Sequence, residues 1–181
     1  MAGLLCAACS VGAGEGEVMG KLSIDSCDLE NAAYEMNPSF FGADDVEELL
    51  EIRLQRGSDR TLVSDGLMIL VSDAALVKQE RLGQDIDVEV DNTSLVQMGL
   101  YLNDTCPSDP NGDQSVFVAV SGSIRFDEIY APKVDDDDTN ISATFSEVRF
   151  EDPSDPDQRN ATLSGFFEFI FNRGRPAQLF P

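Results

Sequence analysis

Beyond residue 17, apolar side chains recur mainly at every second position, in short segments broken by Asp, Asn, Gly and Pro. This period constrains the fold most tightly. Successive side chains of a strand point to opposite faces, so a chain patterned in this way buries one face of a sheet against its own core. Residues 17–25 read as a first strand with Val18, Leu22 and Ile24 facing inward. Leu50, Ile52 and Leu54 alternate with Glu51, Arg53 and Gln55, giving a half-buried strand, and the preceding ADDVEELL has the composition of a short helical turn over residues 44–49. Gly66 opens GLMILVSD, a continuous apolar run suited to a central strand. The following DAALVKQERLGQD fits a helix and an irregular crossover equally well. The segments DIDVEV and SLVQMGLYL place Ile86, Val88, Val90, Val96, Met98, Leu100 and Leu102 on one face, and together they predict a hairpin across residues 91–94.

The last third carries the clearest pattern. SVFVAVSGSIRFDEIY, ISATFSEVRFED and ATLSGFFEFIF are β-rich and separated by acidic, Pro-containing loops, which predicts an antiparallel meander. In the final segment Leu163, Gly165, Phe167, Phe169 and Phe171 share one face. Phe166 and Ile170 add apolar bulk to the other, so the strand is expected to be covered on both sides. Eight to ten short strands at this spacing predict an all-β antiparallel fold, either a β-sandwich or jelly roll, with a lipocalin-like closed barrel as the alternative. The phenylalanines are expected to fill its core. The closing RGRPAQLFP contains Pro176 and Pro181, which exclude a regular central strand there.

Composition sets the chemistry that such a domain can perform. The 181 residues hold 34 acidic and 12 basic side chains, a net charge of -22, so phosphate backbones and anionic headgroups would be repelled and nucleic acid is excluded as a partner. The chain has no histidine. That removes Ser-His-Asp and Cys-His nucleophile systems, HExxH zinc sites and 2-His-1-carboxylate iron sites. Catalysis would have to rest on carboxylates alone, as in a glycosidase pair, or on a metal held entirely by oxygen ligands. No phosphate-binding glycine loop or G-x-S-x-G elbow occurs, and no catalytic residue is expected.

The acidic loops offer one candidate metal site. In CPSDPNGDQS, Asp109, Asn111 and Asp113 alternate as calcium-loop ligands do, although Gln114 occupies the usual glycine position and Val120 the position of the closing acidic ligand. An Asx and proline turn accounts for the same residues. Calcium is therefore the one cofactor these loops suggest. Asp135 to Asp138 and the EDPSDPDQ segment read as solvated loops. Sequons begin at Asn92, Asn103, Asn140 and Asn160, the acceptor pattern of a secreted glycoprotein.

The N-terminal MAGLLCAACS resembles the lipobox end of a bacterial lipoprotein signal: Ala7 and Ala8 stand before Cys9, with Leu4 and Leu5 upstream. Cys6 occupies the position where that pattern has Leu. Eight residues, none of them basic, precede Cys9, so the feature is expected to be the stump of a longer precursor. A plain N-terminus with two ordinary cysteines and a Cys6-Cys9 CxxC pair are the competing readings. The resemblance implies lipidation at Cys9 and, with Ser10 behind it, an outer-membrane or cell-surface location. It divides the chain into a signal remnant over residues 1–9, a flexible glycine-rich tether over 10–17, and one acidic β-domain over 18–181. With Cys9 given to lipid, Cys27 and Cys106 remain for a disulfide, two free thiols being the alternative. The expected function is that of a non-catalytic, lipid-anchored extracytoplasmic β-domain, similar to uncharacterised bacterial surface lipoproteins, with a binding or structural role and a protein or glycan partner. A calcium-dependent adhesion module and a carboxylate-dependent glycan-acting enzyme are the alternatives.

Overall fold

Among the described residues the period-two segments contribute strands. The computed structural model describes residues 14–46, 49–57, 64–88, 94–107, 116–132, 134–135 and 139–171. In chain order the strands are β1 (Gly14–Ile24), β2 (Leu29–Met36), β3 (Phe40–Val46), β4 (Leu49–Gln55), β5 (Gly66–Val71), β6 (Ile86–Asp87), β7 (Val96–Tyr101), β8 (Val116–Glu128), β9 (Thr139–Glu151) and β10 (Arg159–Phe171). They join one curled antiparallel sheet, in the order β2-β1-β10-β9-β8-β7-β5-β4-β3, with β6 added against β8. The all-β class and the strand count are as expected. The two layers anticipated for a sandwich are instead opposite walls of one sheet bent into a half-barrel.

The inner face carries the core. Val18, Leu22 and Ile24 of β1 point inward as predicted, as do Leu50, Ile52 and Leu54 of β4 and Leu67, Ile69 and Val71 of β5. The long meander β8-β9-β10 supplies Phe117, Phe126, Phe145, Phe150, Phe167 and Phe169, all essentially without solvent exposure. Each such ring removes a large apolar area from water, worth roughly 2 to 3 kcal/mol, and this meander forms the thickest part of the core. The sheet curls far enough that Phe41 on edge strand β3 packs against Phe169 of β10, with ring centroids 5.8 Å apart.

Three local expectations are corrected and one open alternative is resolved. Residues 14–17 belong to β1 and not to a tether. A side chain at Gly14 would lie 2.6 Å from Phe169 Cβ and 2.9 Å from the Phe41 ring, so glycine is there to let strands and rings approach. Of the residues read as a helical turn before Leu50, 44–46 end β3 and Leu49 opens β4, and the two strands pair. Among the described residues the hairpin expected between residues 86–90 and 96–102 is not formed: Ile86 and Asp87 pair with Ile124 and Ser123 of β8, Val88 makes an isolated parallel bridge to Val96, and β7 lies between β5 and the first part of β8. The ambiguous segment after β5 is a short α-helical turn (Ala74–Leu76) running into a π-helical turn (Val77–Arg81), started by Asp73, whose carboxylate accepts from the Leu76 amide at 2.9 Å.

The curl is sharpened by a bulge. Ser146 and Glu147 both face solvent, Glu147 has φ of 48°, and the registers of β9 with β8 and with β10 both shift there. Opposite it, Gly122 has φ of 113° and a Cβ at this position would meet Val148 Cα at 2.6 Å. Bulges of this type bend and twist the strand that carries them. Gly122→Ala is therefore expected to destabilise the fold by about 1 to 3 kcal/mol, read as a lower urea midpoint at unchanged slope. An unchanged midpoint would mean that the bend does not depend on this glycine.

Candidate functional site

The most concentrated polar chemistry among the described residues surrounds Asp65, which has no solvent exposure. It immediately precedes β5. Its neighbours come from both sides of the gap between the two edges of the half-barrel: Tyr34 from edge strand β2, Arg56 from the end of β4, and Asp104 and Thr105 from the segment after β7. The Asp104 and Thr105 amides donate to Oδ1 at 2.8 and 3.1 Å, and the Tyr34 hydroxyl donates to Oδ2 at 3.2 Å. The Thr105 hydroxyl also donates to Oδ2, and Arg56 Nη1 lies 3.7 Å from the same oxygen. A carboxylate buried in this way would be costly without partners. Here five donors surround it.

A second layer of bonds surrounds the first. Gln55 donates to the Ser64 hydroxyl at 2.6 Å, Asn103 donates its amide to the Ser64 carbonyl at 3.1 Å, and Ser64 donates to the Arg56 carbonyl. Arg56 also reaches the Glu35 carbonyl on β2, and the Ser39 hydroxyl accepts from the Gly57 amide at 3.0 Å. These contacts tie the end of β2 and the start of β3 to the β4-β5 connection. Cys106, one residue beyond Thr105, is joined to Cys27 in the turn after β1, with the Cα atoms 5.8 Å apart. The predicted disulfide is thus present. It closes a separation of 79 residues, a constraint on the unfolded chain of about 4 kcal/mol in the loop-entropy account.

Burial, followed by the charge of Asp65, pushes the Tyr34 hydroxyl far above its ordinary pKa of 10.0. Tyr34 therefore stays protonated and donates across the whole physiological range. A tyrosine held neutral and a carboxylate whose lone pairs are already taken are poorly placed to exchange protons with a substrate. The cluster acts as a clasp that ties edge strand β2 to the segments before β5 and after β7.

The other candidate residues fall elsewhere. Cys9, Asp109, Asn111 and Asp113 lie outside the described residues, so the lipidation and calcium sites have no structural account. Of the four-aspartate run, Asp135 accepts from the Ala131 amide at 2.8 Å and pairs with Lys78. In the EDPSDPDQ loop, Asp152 is buried, accepts from the Ser154 amide and hydroxyl at 2.9 and 2.6 Å, and pairs with Arg159 at 2.9 Å. Both carboxylates shape their own turns. Among the described residues no three Cys, Asp or Glu side chains group as metal ligands, and no helix is long and apolar enough to cross a membrane. Asn103, Asn140 and Asn160 of the sequons use their amides on Ser64, Glu168 and the 156–157 carbonyls.

The Asp65 clasp has a weak trace in the sequence. Asp65 stands before the glycine that opens the most apolar strand, but nothing local announces that Tyr34 and Thr105 converge on it. No family model, curated protein or solved structure matches the chain.

Two expectations follow for the clasp. Asp65→Ala strands several buried donors and should cost about 3 to 5 kcal/mol by urea unfolding; a loss below about 1 kcal/mol would show that the cluster is not a clasp. Because folding raises the pKa of Tyr34, its contribution is fully present below its unfolded value of about 10. It is lost as pH rises further, since the unfolded chain releases the proton first. Tyr34→Phe should remove that part of the alkaline decline. Identical stability slopes above pH 10 in both proteins would contradict the assignment.

Proposed function

We propose that the chain is a non-catalytic extracytoplasmic β-domain, anchored by lipid at Cys9 to the outer membrane or cell surface, where it serves a binding or structural role. The observation that carries this reading is the Cys27–Cys106 bond, because structural disulfides persist in exported proteins and are rare in reducing compartments. The lipobox-like residues before Cys9 supply the means of anchoring.

Two further features favour a module over an enzyme. The buried carboxylates of the described residues, Asp65 and Asp152, are taken up by loop amides, hydroxyls and guanidinium groups. The strong negative charge keeps such a domain soluble and apart from anionic surfaces, leaving cationic or neutral partners.

The test uses the reading frame with any in-frame codons upstream of Met1, expressed in a bacterium supplied with radiolabelled palmitate. The wild type should incorporate label and fractionate with membranes, and Cys9→Ser should lose both properties. Failure to incorporate label, or equal labelling of the two proteins, would remove the lipid anchor from the account. Recovery of Cys27 and Cys106 as free thiols from the producing cells would remove the export.

A further inference from the structure

The outer face of β10 does not have the cover that its sequence predicts. Phe166 and Ile170 are 40% and 50% exposed, and Met19 on neighbouring β1 is 47% exposed. The pairing register fixes their arrangement. Phe166 stands opposite Glu17, whose strand neighbour two residues on is Met19, so Met19 and Phe166 are diagonal neighbours on one face. Along β10 the same face reads Phe166, Glu168, Ile170, a row of apolar, acidic and apolar side chains at a spacing of roughly 7 Å. Glu168 stands directly opposite Glu15. Like charges facing each other across a strand pair are unfavourable, and uncovered aromatic and aliphatic side chains beside them add a second cost to leaving this face in water.

The surrounding charge selects the occupant. Lys21 and Arg149 stand on the same face opposite Thr162, but a second copy of this chain would still bring Glu15, Glu17 and Glu168 against the same residues, on molecules that each carry a net charge of -22. Anionic lipid would be repelled by the same groups. The geometry points to a docking face for a cationic polypeptide that sets apolar side chains on Phe166, Ile170 and Met19 and lysine or arginine on Glu15, Glu17 and Glu168. An extended segment alternating apolar and basic residues on one side matches the row along β10, because both follow the same strand repeat. Complementary charge of this kind steers association and rejects anionic competitors. The face gives the binding role proposed above its class of partner, and its test is independent of lipidation at Cys9.

The probe is a fluorescent peptide of Lys-Thr-Leu-Thr repeats, titrated by anisotropy against the full chain at about 0.15 M salt, where long-range attraction is screened. The control peptide has Ser in place of Leu. The wild type should bind the leucine peptide at least tenfold more tightly than the serine peptide. Phe166→Ser with Ile170→Ser should abolish that preference, and Glu168→Gln should weaken both peptides. Met19→Lys with Ile170→Lys provides a second disruption should the serine pair unfold, and it should also abolish binding. Asp155→Asn with Asp157→Asn, on a distant exposed turn, should bind as the wild type does. Equal affinity for the two peptides, or undiminished binding by the β10 variants, would overturn the proposal. So would a wild-type dimer in sedimentation that becomes monomeric when Phe166 and Ile170 are changed, since the occupant would then be a second copy.

Discussion

The structure depends on one buried carboxylate. A curled sheet that does not close leaves two edges, β2 and β3, and an open edge is both a gap in the core and a template for unwanted pairing. Asp65 meets this problem from the β5 side by drawing the β2 tyrosine and the amides after β7 onto its two oxygens. Arg56 adds to the same closure by taking a carbonyl of the exposed β2 edge. The energetic logic is that of any buried charge: the carboxylate is tolerable because it is surrounded by donors, and the donors are held where they are because the carboxylate would otherwise be stranded.

The disulfide and the clasp work on the same segment in different ways. The clasp acts in the folded state, fixing Asp104 and Thr105. The Cys27–Cys106 bond acts largely through the unfolded chain, whose freedom it reduces across most of the first half of the sequence. The phenylalanine-rich meander β8-β9-β10 is held differently, by the longest pairings in the sheet and by rings with no exposure. The domain thus has an apolar wall that relies on packing and a seam that relies on polar and covalent links.

Strand placement was largely legible in the sequence because burial on one face imposes a period of two, as in Leu50, Ile52 and Leu54. The failures have physical causes. Gly14 and Gly16 look like a tether by composition, yet the sheet needs them where rings and backbone crowd β1. The change of phase in β9, from Ile141, Ala143 and Phe145 to Val148 and Phe150, records the bulge in the sequence. Local pattern could not assign β6 to β8, since a two-residue strand takes its partner from tertiary context. The disulfide could be anticipated by counting cysteines. The clasp could not, because Tyr34, Asp65 and Thr105 are ordinary residues until the topology brings them together. Phe166 and Ile170 were placed on the correct face, but whether that face is covered depends on what lies beyond the sheet.

The most direct test of this account is hydrogen–deuterium exchange on oxidised Asp65→Ala compared with the wild type, under conditions where both are folded. The seam should loosen selectively: amides of β2, the start of β3 and residues 102–106 should exchange much faster, while β8, β9 and β10 keep their protection. A uniform rise across all strands, or unchanged protection at the seam, would contradict the claim that Asp65 ties edge strand β2 to the segments before β5 and after β7.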